Sequence, residues 1–140
     1  MTVTSEASTV WTGPLAEGSG TVSLASGIGA FPVDWKARSE GSGRATTPEE
    51  LIAAAHSSCF SMALSHALAE NGTPPERIDA TASVTFKPGV GITGSHLNVN
   101  AVVPGLDAER FRLIAEEAKA GCPVSQALSG VEISLEAALA

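Results

Sequence analysis

The sequence predicts an α+β fold in the order βββ-α-ββ-α-α-β, an antiparallel sheet packed on a long central helix. Three observations carry that expectation. Short runs of alternating apolar and polar residues, punctuated by glycine, fill the first third. A strong helix-start signal then opens a stretch from 51 to 69 that holds no Lys, Arg, Asp or Glu. Alternation returns on both sides of a second helical pattern. With 140 residues, 44% hydrophobic and 16% charged, the chain fits one globular domain spanning 1–140.

The elements follow in order. Thr9–Thr12 alternates and stops at Gly13-Pro14, and Thr21–Leu24 stops near Gly27. Val33–Arg38 reads as a third strand running into Gly41-Ser42-Gly43, so the three form a meander. Thr47-Pro48-Glu49-Glu50 then starts the long helix, with Thr47 as N-cap, Pro48 at the first helical position and Glu50 closing a capping box. Gly72 supplies its left-handed stop. Ile78–Phe86 and Ser95–Val103 alternate as strands around the loop 87–91. A helix capped by Asp107 buries Phe111, Ile114, Ala115 and Ala118 and ends at Gly121. Pro123 opens a short helix through Leu128, and Val131–Ala137 closes as a strand.

A net charge of −7 argues against nucleic acid, because phosphate binding relies on a Lys/Arg surface. Tyrosine is absent and other aromatics are scarce, so no base-stacking platform emerges. The uncharged stretch is long enough for a membrane span, but His56, Ser57, Ser58, Ser61, Ser65 and His66 make it too polar. A helix buried on most sides of a cytoplasmic protein is the expectation. Met1–Glu6 lacks the basic and apolar regions of a secretory signal. In a reducing compartment a cysteine pair points to redox chemistry or inert burial rather than a structural disulfide.

The two cysteines are Cys59, deep in the uncharged helix, and Cys122, between two helical patterns. Ala55, Ser58 and Ala63 leave room beside Cys59, as a reactive thiol needs. A cation is needed to hold its thiolate, and the helix offers none. Arg38 is the best-placed supplier. Glu50 is occupied by the capping box, which leaves Glu49 to orient the guanidinium with both carboxylate oxygens. His56 lies one near-turn before Cys59 and is either its base or a hydrogen-bonded core histidine. Two separated cysteines and His56, His66 and His96 match no metal-ligand spacing.

At these residues the chain becomes recognisable. Residues 47–64, including Ala55-His56-Ser57-Ser58-Cys59, resemble the signature of the OsmC family of thiol peroxidases. Residues 118–128 resemble its second motif, Gly121-Cys122-Pro123-Val124, and 35–41 the segment that supplies its arginine. The resemblance runs the length of the chain and favours the OsmC branch over the sister Ohr branch. Ser57-Ser58 departs from the more usual alanine pair. The resemblance implies an OsmC-like fold, an intertwined homodimer and reduction of organic hydroperoxides in oxidative or osmotic stress.

It also implies roles: Cys59 as peroxidatic thiol, Cys122 as resolving thiol, Arg38 as activating cation and Glu49 as its anchor. No cofactor or metal is then required, only an external dithiol reductant, with lipoyl-type dithiols among the candidates. Geometry adds an argument for the dimer. Ten residues of helix place Glu49 roughly 15 Å from Cys59 along the axis. No Pro or Gly breaks the run between them, so Arg38 and Glu49 of one subunit are expected to complete the site of the other. Two other classes stand beside this one. One is a small-molecule binding module whose cysteines only pack. The other is a protein thiol–disulfide oxidoreductase, against which the lack of a Cys-x-x-Cys motif argues.

Overall fold

Alternation in the first third builds three strands, β1 (Ala7–Thr12), β2 (Ser19–Leu24) and β3 (Ala30–Val33), paired antiparallel in that order. The computed structural model describes residues 1–41 and 43–140, so Ser42 in the expected Gly41–Gly43 turn lies outside the described residues. These residues group into two compact units, Met1–Leu51 and Ile52–Ala140.

In the first unit the expected strand from 33 to 38 ends at Val33 and becomes a helix. Asp34 caps α1 (Trp35–Glu40) by accepting the Ala37 N–H at 2.6 Å. Gly41, at φ 77°, ends it with its N–H on the Ala37 carbonyl. The alternation of Trp35 and Ala37 suggested a strand, but a side-chain cap at one end and a left-handed glycine at the other outweigh three residues of pattern. Arg38 therefore rides on a helix.

The long helix α2 (Pro48–Glu70) begins in this unit and runs on into the second. Thr47 caps it as expected, its Oγ1 accepting the Glu50 N–H at 2.9 Å. The reciprocal half of the box differs, because the Glu50 carboxylate instead accepts from the Thr46 hydroxyl at 2.6 Å. At the other end Gly72 has φ 80°, and the Gly72 and Thr73 N–H groups bond back to the Ala69 and Leu68 carbonyls.

In the second unit β4 (Arg77–Lys87) and β5 (Gly91–Val102) form an antiparallel hairpin. The closing strand β6 (Glu132–Leu139) pairs parallel with β5, so this sheet is mixed rather than wholly antiparallel. The reason is the crossover between them. The helices α3 (Ala108–Gly121) and α4 (Pro123–Ala127) return the chain to the end where β5 began. The Asp107 cap and the buried Phe111, Ile114, Ala115 and Ala118 are as expected.

Here α2 buries a stripe at every fourth residue, His56, Phe60, Leu64 and Leu68. Phe60, Leu64 and Leu68 meet Leu97, Val99 and Ala101 of β5 and the apolar face of α3 in one core. The expectation of a helix buried on most sides fails within one chain. Ala54, Ala55 and Ser58 are exposed, Met62 is 73% exposed, and only 22% of the apolar window is buried.

Candidate active site

Each unit carries half of the sequence-predicted chemistry. In the first, Glu49 is buried and faces Arg38 of α1 in a fork. Arg38 Nε donates to Oε1 at 3.0 Å and Oε2 at 3.3 Å, while Nη2 donates to Oε2 at 2.9 Å. The carboxylate is 6% exposed and the guanidinium 32%. A two-point fork of this kind fixes the plane of an arginine as a single contact cannot. Arg38 also borders an apolar cleft of about 380 Å³, whose walls include Trp11, Leu15, Trp35 and Leu51.

In the second unit the two cysteines meet, although 63 positions separate them. Both are free thiols, Cys59 half-buried and Cys122 fully buried, with their side chains in hydrogen-bond contact. Pro123 explains where Cys122 stands. It forces the preceding residue out of helical backbone, so Cys122 takes φ −63°, ψ 123°, ending α3 and preceding α4. Its backbone N–H caps α3 on the Ala118 carbonyl at 2.9 Å; its side chain makes no cap hydrogen bond to α4, yet groups of the first turn of α4 favour its thiolate.

Burial works against a Cys122 thiolate. The Ser125 N–H, the Cys59 thiol, the Ser125 hydroxyl and the Val124 N–H outweigh it, so its pKa lies below the ordinary thiol value. Burial pushes Cys59 the other way; the Val124 N–H opposes that rise and the neighbouring Cys122 adds to it. Within this unit the buried sulfur is thus the readier of the two to ionise. The accessible sulfur is the other one.

His56 does not pair with Cys59. Its Nδ1 meets the Ser95 hydroxyl at 2.6 Å and its Nε2 the Ser125 hydroxyl at 2.8 Å. It is fully buried, and burial holds its pKa below the ordinary value, so the ring is neutral near pH 7. Sequence reasoning missed both serines. Their partners lie 39 and 69 positions away, beyond any local pattern. One signal was present: Ser95 heads the inward series Ser95, Leu97, Val99, Ala101, where a polar residue needs a partner. Among the described residues, no group of three or more His, Cys, Asp or Glu could hold a metal ion.

Comparison with known proteins decides the family. Residues 41–136 match the family model for OsmC-like protein. The chain belongs to the OsmC family. It is 46% identical to peroxiredoxin OsmC of Escherichia coli (strain K12) over 140 residues, 97% of this chain and 96% of that protein. Organic hydroperoxide resistance protein OhrA of Bacillus subtilis (strain 168) is 32% identical over 98 residues, 68% of this chain and 69% of the relative. The solved structure of an organic hydroperoxide resistance protein OsmC from Legionella pneumophila matches with TM-score 0.70 at 25% identity, covering 97% of each chain. The α+β fold is therefore OsmC-like. Glu49, Cys59 and Cys122 fall inside the family match, and Arg38 just precedes it.

Proposed function

We propose that this protein is a cysteine-based peroxidase that reduces organic hydroperoxides to alcohols, in defence against oxidative or osmotic stress. The carrying observation is the contact between a reachable Cys59 and a buried Cys122. One thiol can meet substrate while the other waits for its product. Cys59 thiolate attacks the terminal peroxide oxygen, the O–O bond breaks, and the alkoxide leaves and takes up a proton as alcohol. Cys59 is then a sulfenic acid. Cys122 attacks its sulfur, the S–S bond forms, and hydroxide leaves and is protonated to water. An external dithiol, lipoyl-type among the candidates, restores both thiols by exchange. Peroxide and dithiol close the electron balance, so the scheme calls for no cofactor.

Arg38 is assigned to hold the Cys59 thiolate and the charge that develops on the leaving oxygen, with Glu49 fixing its plane. The bias inside the second unit makes such a cation necessary. A positive charge brought to Cys59 favours its thiolate and places the nucleophile on the accessible sulfur. The cleft beside Arg38 suits an alkyl or aryl peroxide.

The working form is a homodimer in which Arg38 and Glu49 of one subunit serve Cys59 and Cys122 of the other. Two features support it. The exposed row Ala54, Ser58 and Met62 lies on an unbroken helix apolar enough to seek cover. The first unit also buries few apolar side chains of its own. The whole chain then acts as one OsmC-like domain in the cytoplasm.

A turnover assay with cumene, lipid and hydrogen peroxides against several dithiols tests the function. The organic peroxides should be consumed, and Cys59→Ser should abolish even one turnover. Cys122→Ser should react once and stall as a sulfenic acid, visible by intact mass. Oxidation starting at Cys122 with Cys59 unmodified reverses the assignment.

A further inference from the structure

The buried imidazole has no part in the scheme above, yet both its nitrogens are engaged and one connection leads to the site. Ser95 on β5 meets Nδ1 at 2.6 Å. Nε2 meets the Ser125 hydroxyl at 2.8 Å. Ser125 lies three residues after Cys122 in the first turn of α4, where its hydroxyl and N–H are near enough to the Cys122 sulfur to favour the thiolate. His56, Ser95, Ser125 and Cys122 are each at least 95% buried, and no buried side-chain polar atom among the described residues lacks a partner. A file of hydrogen-bonded groups thus runs from Ser95 on the sheet through His56 to Ser125, in the helical turn that follows the second thiol.

We propose that His56 is a positioning residue for disulfide formation: anchored by Ser95, it turns the Ser125 hydroxyl toward the sulfur of Cys122 as that sulfur becomes the attacking thiolate. The direction of the file follows from the chemistry at its end. A thiolate only accepts, so Ser125 O–H must donate to it. The Ser125 oxygen then accepts from His56 Nε2–H. A neutral imidazole has one N–H, which leaves Nδ1 as an acceptor for the Ser95 O–H. Each group has one consistent role, and Ser95 selects the tautomer. Burial supports this by keeping the ring neutral, since an imidazolium would donate at both nitrogens and release Ser95 from that duty.

The step is Cys59–SOH plus Cys122–SH giving the disulfide and water. The Cys122 proton goes to the hydroxide that leaves Cys59 and the S–O bond breaks as the S–S bond forms; the Cys122 sulfur is oxidised, the sulfenic sulfur of Cys59 is reduced, and the oxidising equivalent came from the peroxide in the earlier step. His56 and Ser125 lose no proton overall. They hold the attacking sulfur's charge while it exists.

This inference rests on Cys122 being the resolving thiol, and the test separates the two ideas. One arm needs no peroxide. The thiolate of Cys122 is titrated by ultraviolet absorbance and by alkylation in the Cys59→Ser background. Cys59 is the titratable group in contact with Cys122, so this background isolates the file. Ser125→Ala, His56→Gln and Ser95→Ala should each raise the Cys122 pKa, the first two by about one unit, the loss of one charge-assisted hydrogen bond. Ser125→Thr, which keeps the hydroxyl, should recover the wild-type titration.

The second arm gives one equivalent of cumene hydroperoxide to the Cys59-containing protein. Cys59 sulfenic acid is trapped at timed intervals. Its lifetime should lengthen about tenfold in Ser125→Ala and His56→Gln relative to the preceding oxidation step. The double variant should be no slower than either single one, because both break the same file. Should His56→Gln fail to fold, Ser125→Ala and Ser95→Ala, each losing one hydroxyl, decide the matter. An unchanged Cys122 titration in a folded Ser125→Ala protein overturns the inference. A wild type that forms no Cys59–Cys122 disulfide overturns the peroxidase reading instead, while the titration still decides the file.

Discussion

The units Met1–Leu51 and Ile52–Ala140 each contain a three-stranded sheet and helical segments, but they are finished to different degrees. The second closes a core of twelve buried side chains, from Phe60, Leu64 and Leu68 to Phe111, Ile114 and Cys122. The first buries, among its described apolar residues, only Val22 and Ala37, and every residue of β1 is exposed. Val10, Leu15 and Ile28 stand open at 73%, 58% and 84%. So little apolar burial over Met1–Leu51 offers little to set against the entropy of ordering that segment. The contrast teaches which half of the chemistry stands on the less finished scaffold. The second unit presents a thiol pair beside a closed core, and the first presents an arginine fixed by Glu49 among apolar side chains that are largely exposed.

The largest expected effect breaks the contrast by separating the two halves genetically. Arg38→Ala and Cys59→Ser should each be inactive, and a verified heterodimer of the two should recover about half the activity of wild type. One of its two composite sites is then intact. Continued inactivity of that heterodimer, or a fully active monomer by sedimentation, shows that each site is built within one chain.

Next in size is a difference in what stability depends on. Phe111→Ala hollows the finished core and should cost about 3–5 kcal/mol at any protein concentration. Trp11 is 40% exposed, and its indole Nε1–H donates to the Gly13 carbonyl at 2.8 Å. Trp11→Ala should chiefly weaken dimerisation, seen as a melting temperature that depends more steeply on concentration than that of wild type. Equal, concentration-independent losses in the two variants would erase the distinction between the units.

What the sequence revealed divides along the same line. The second unit was legible almost throughout, because Asp107, Gly121 and Pro123 punctuate it and alternation in β4 and β5 is long. The Arg38–Glu49 fork could also be anticipated, since Glu50 had a duty at the helix start and Glu49 had none. The strand-to-helix change at Asp34 was missed because Trp35 and Ala37 fit either period over so short a span. The parallel pairing of β6 was missed because strand direction depends on where a crossover lands. The serine partners of His56 come from distant elements, and only the place of Ser95 at the head of an otherwise apolar alternating series hinted at one of them.

A smaller effect tests the polar part of the finished unit. His56 in the unfolded chain takes up a proton near the ordinary histidine pKa of about 6.5, but burial lowers its pKa in the fold. The unfolded state then binds more protons, and stability falls as pH drops below that value. The contribution has a slope of at most about 1.4 kcal/mol per pH unit. Above it both states are neutral and the contribution is constant. Denaturant melts of wild type and His56→Gln between neutral and mildly acidic pH should diverge in slope by this amount. Parallel curves would show that the imidazole charges inside the fold.

The smallest expected effect sharpens the contrast at the one element the units share, the start of α2. Two adjacent acids there have different duties. Glu49 holds Arg38, while Glu50 supports the helix end through the Thr46 hydroxyl and the favourable end of the dipole. Thr47→Ala removes the side-chain acceptor for the Glu50 N–H and should cost about 1 kcal/mol. Glu50→Ala and Thr46→Val each remove the same solvent-exposed contact, so each should lower the melting temperature by less than Thr47→Ala. Their double variant should show much less than the sum, because the shared contact is lost only once. A closed capping box would couple Glu50 to the Thr47 backbone instead, and Thr46→Val would then be silent. Stopped-flow oxidation of Cys59 provides the control: it should be unchanged in Glu50→Ala and slowed by about a hundredfold in Glu49→Gln, where the arginine loses its alignment. Equal rates in those two variants would remove the reason for assigning Glu49 to the chemistry.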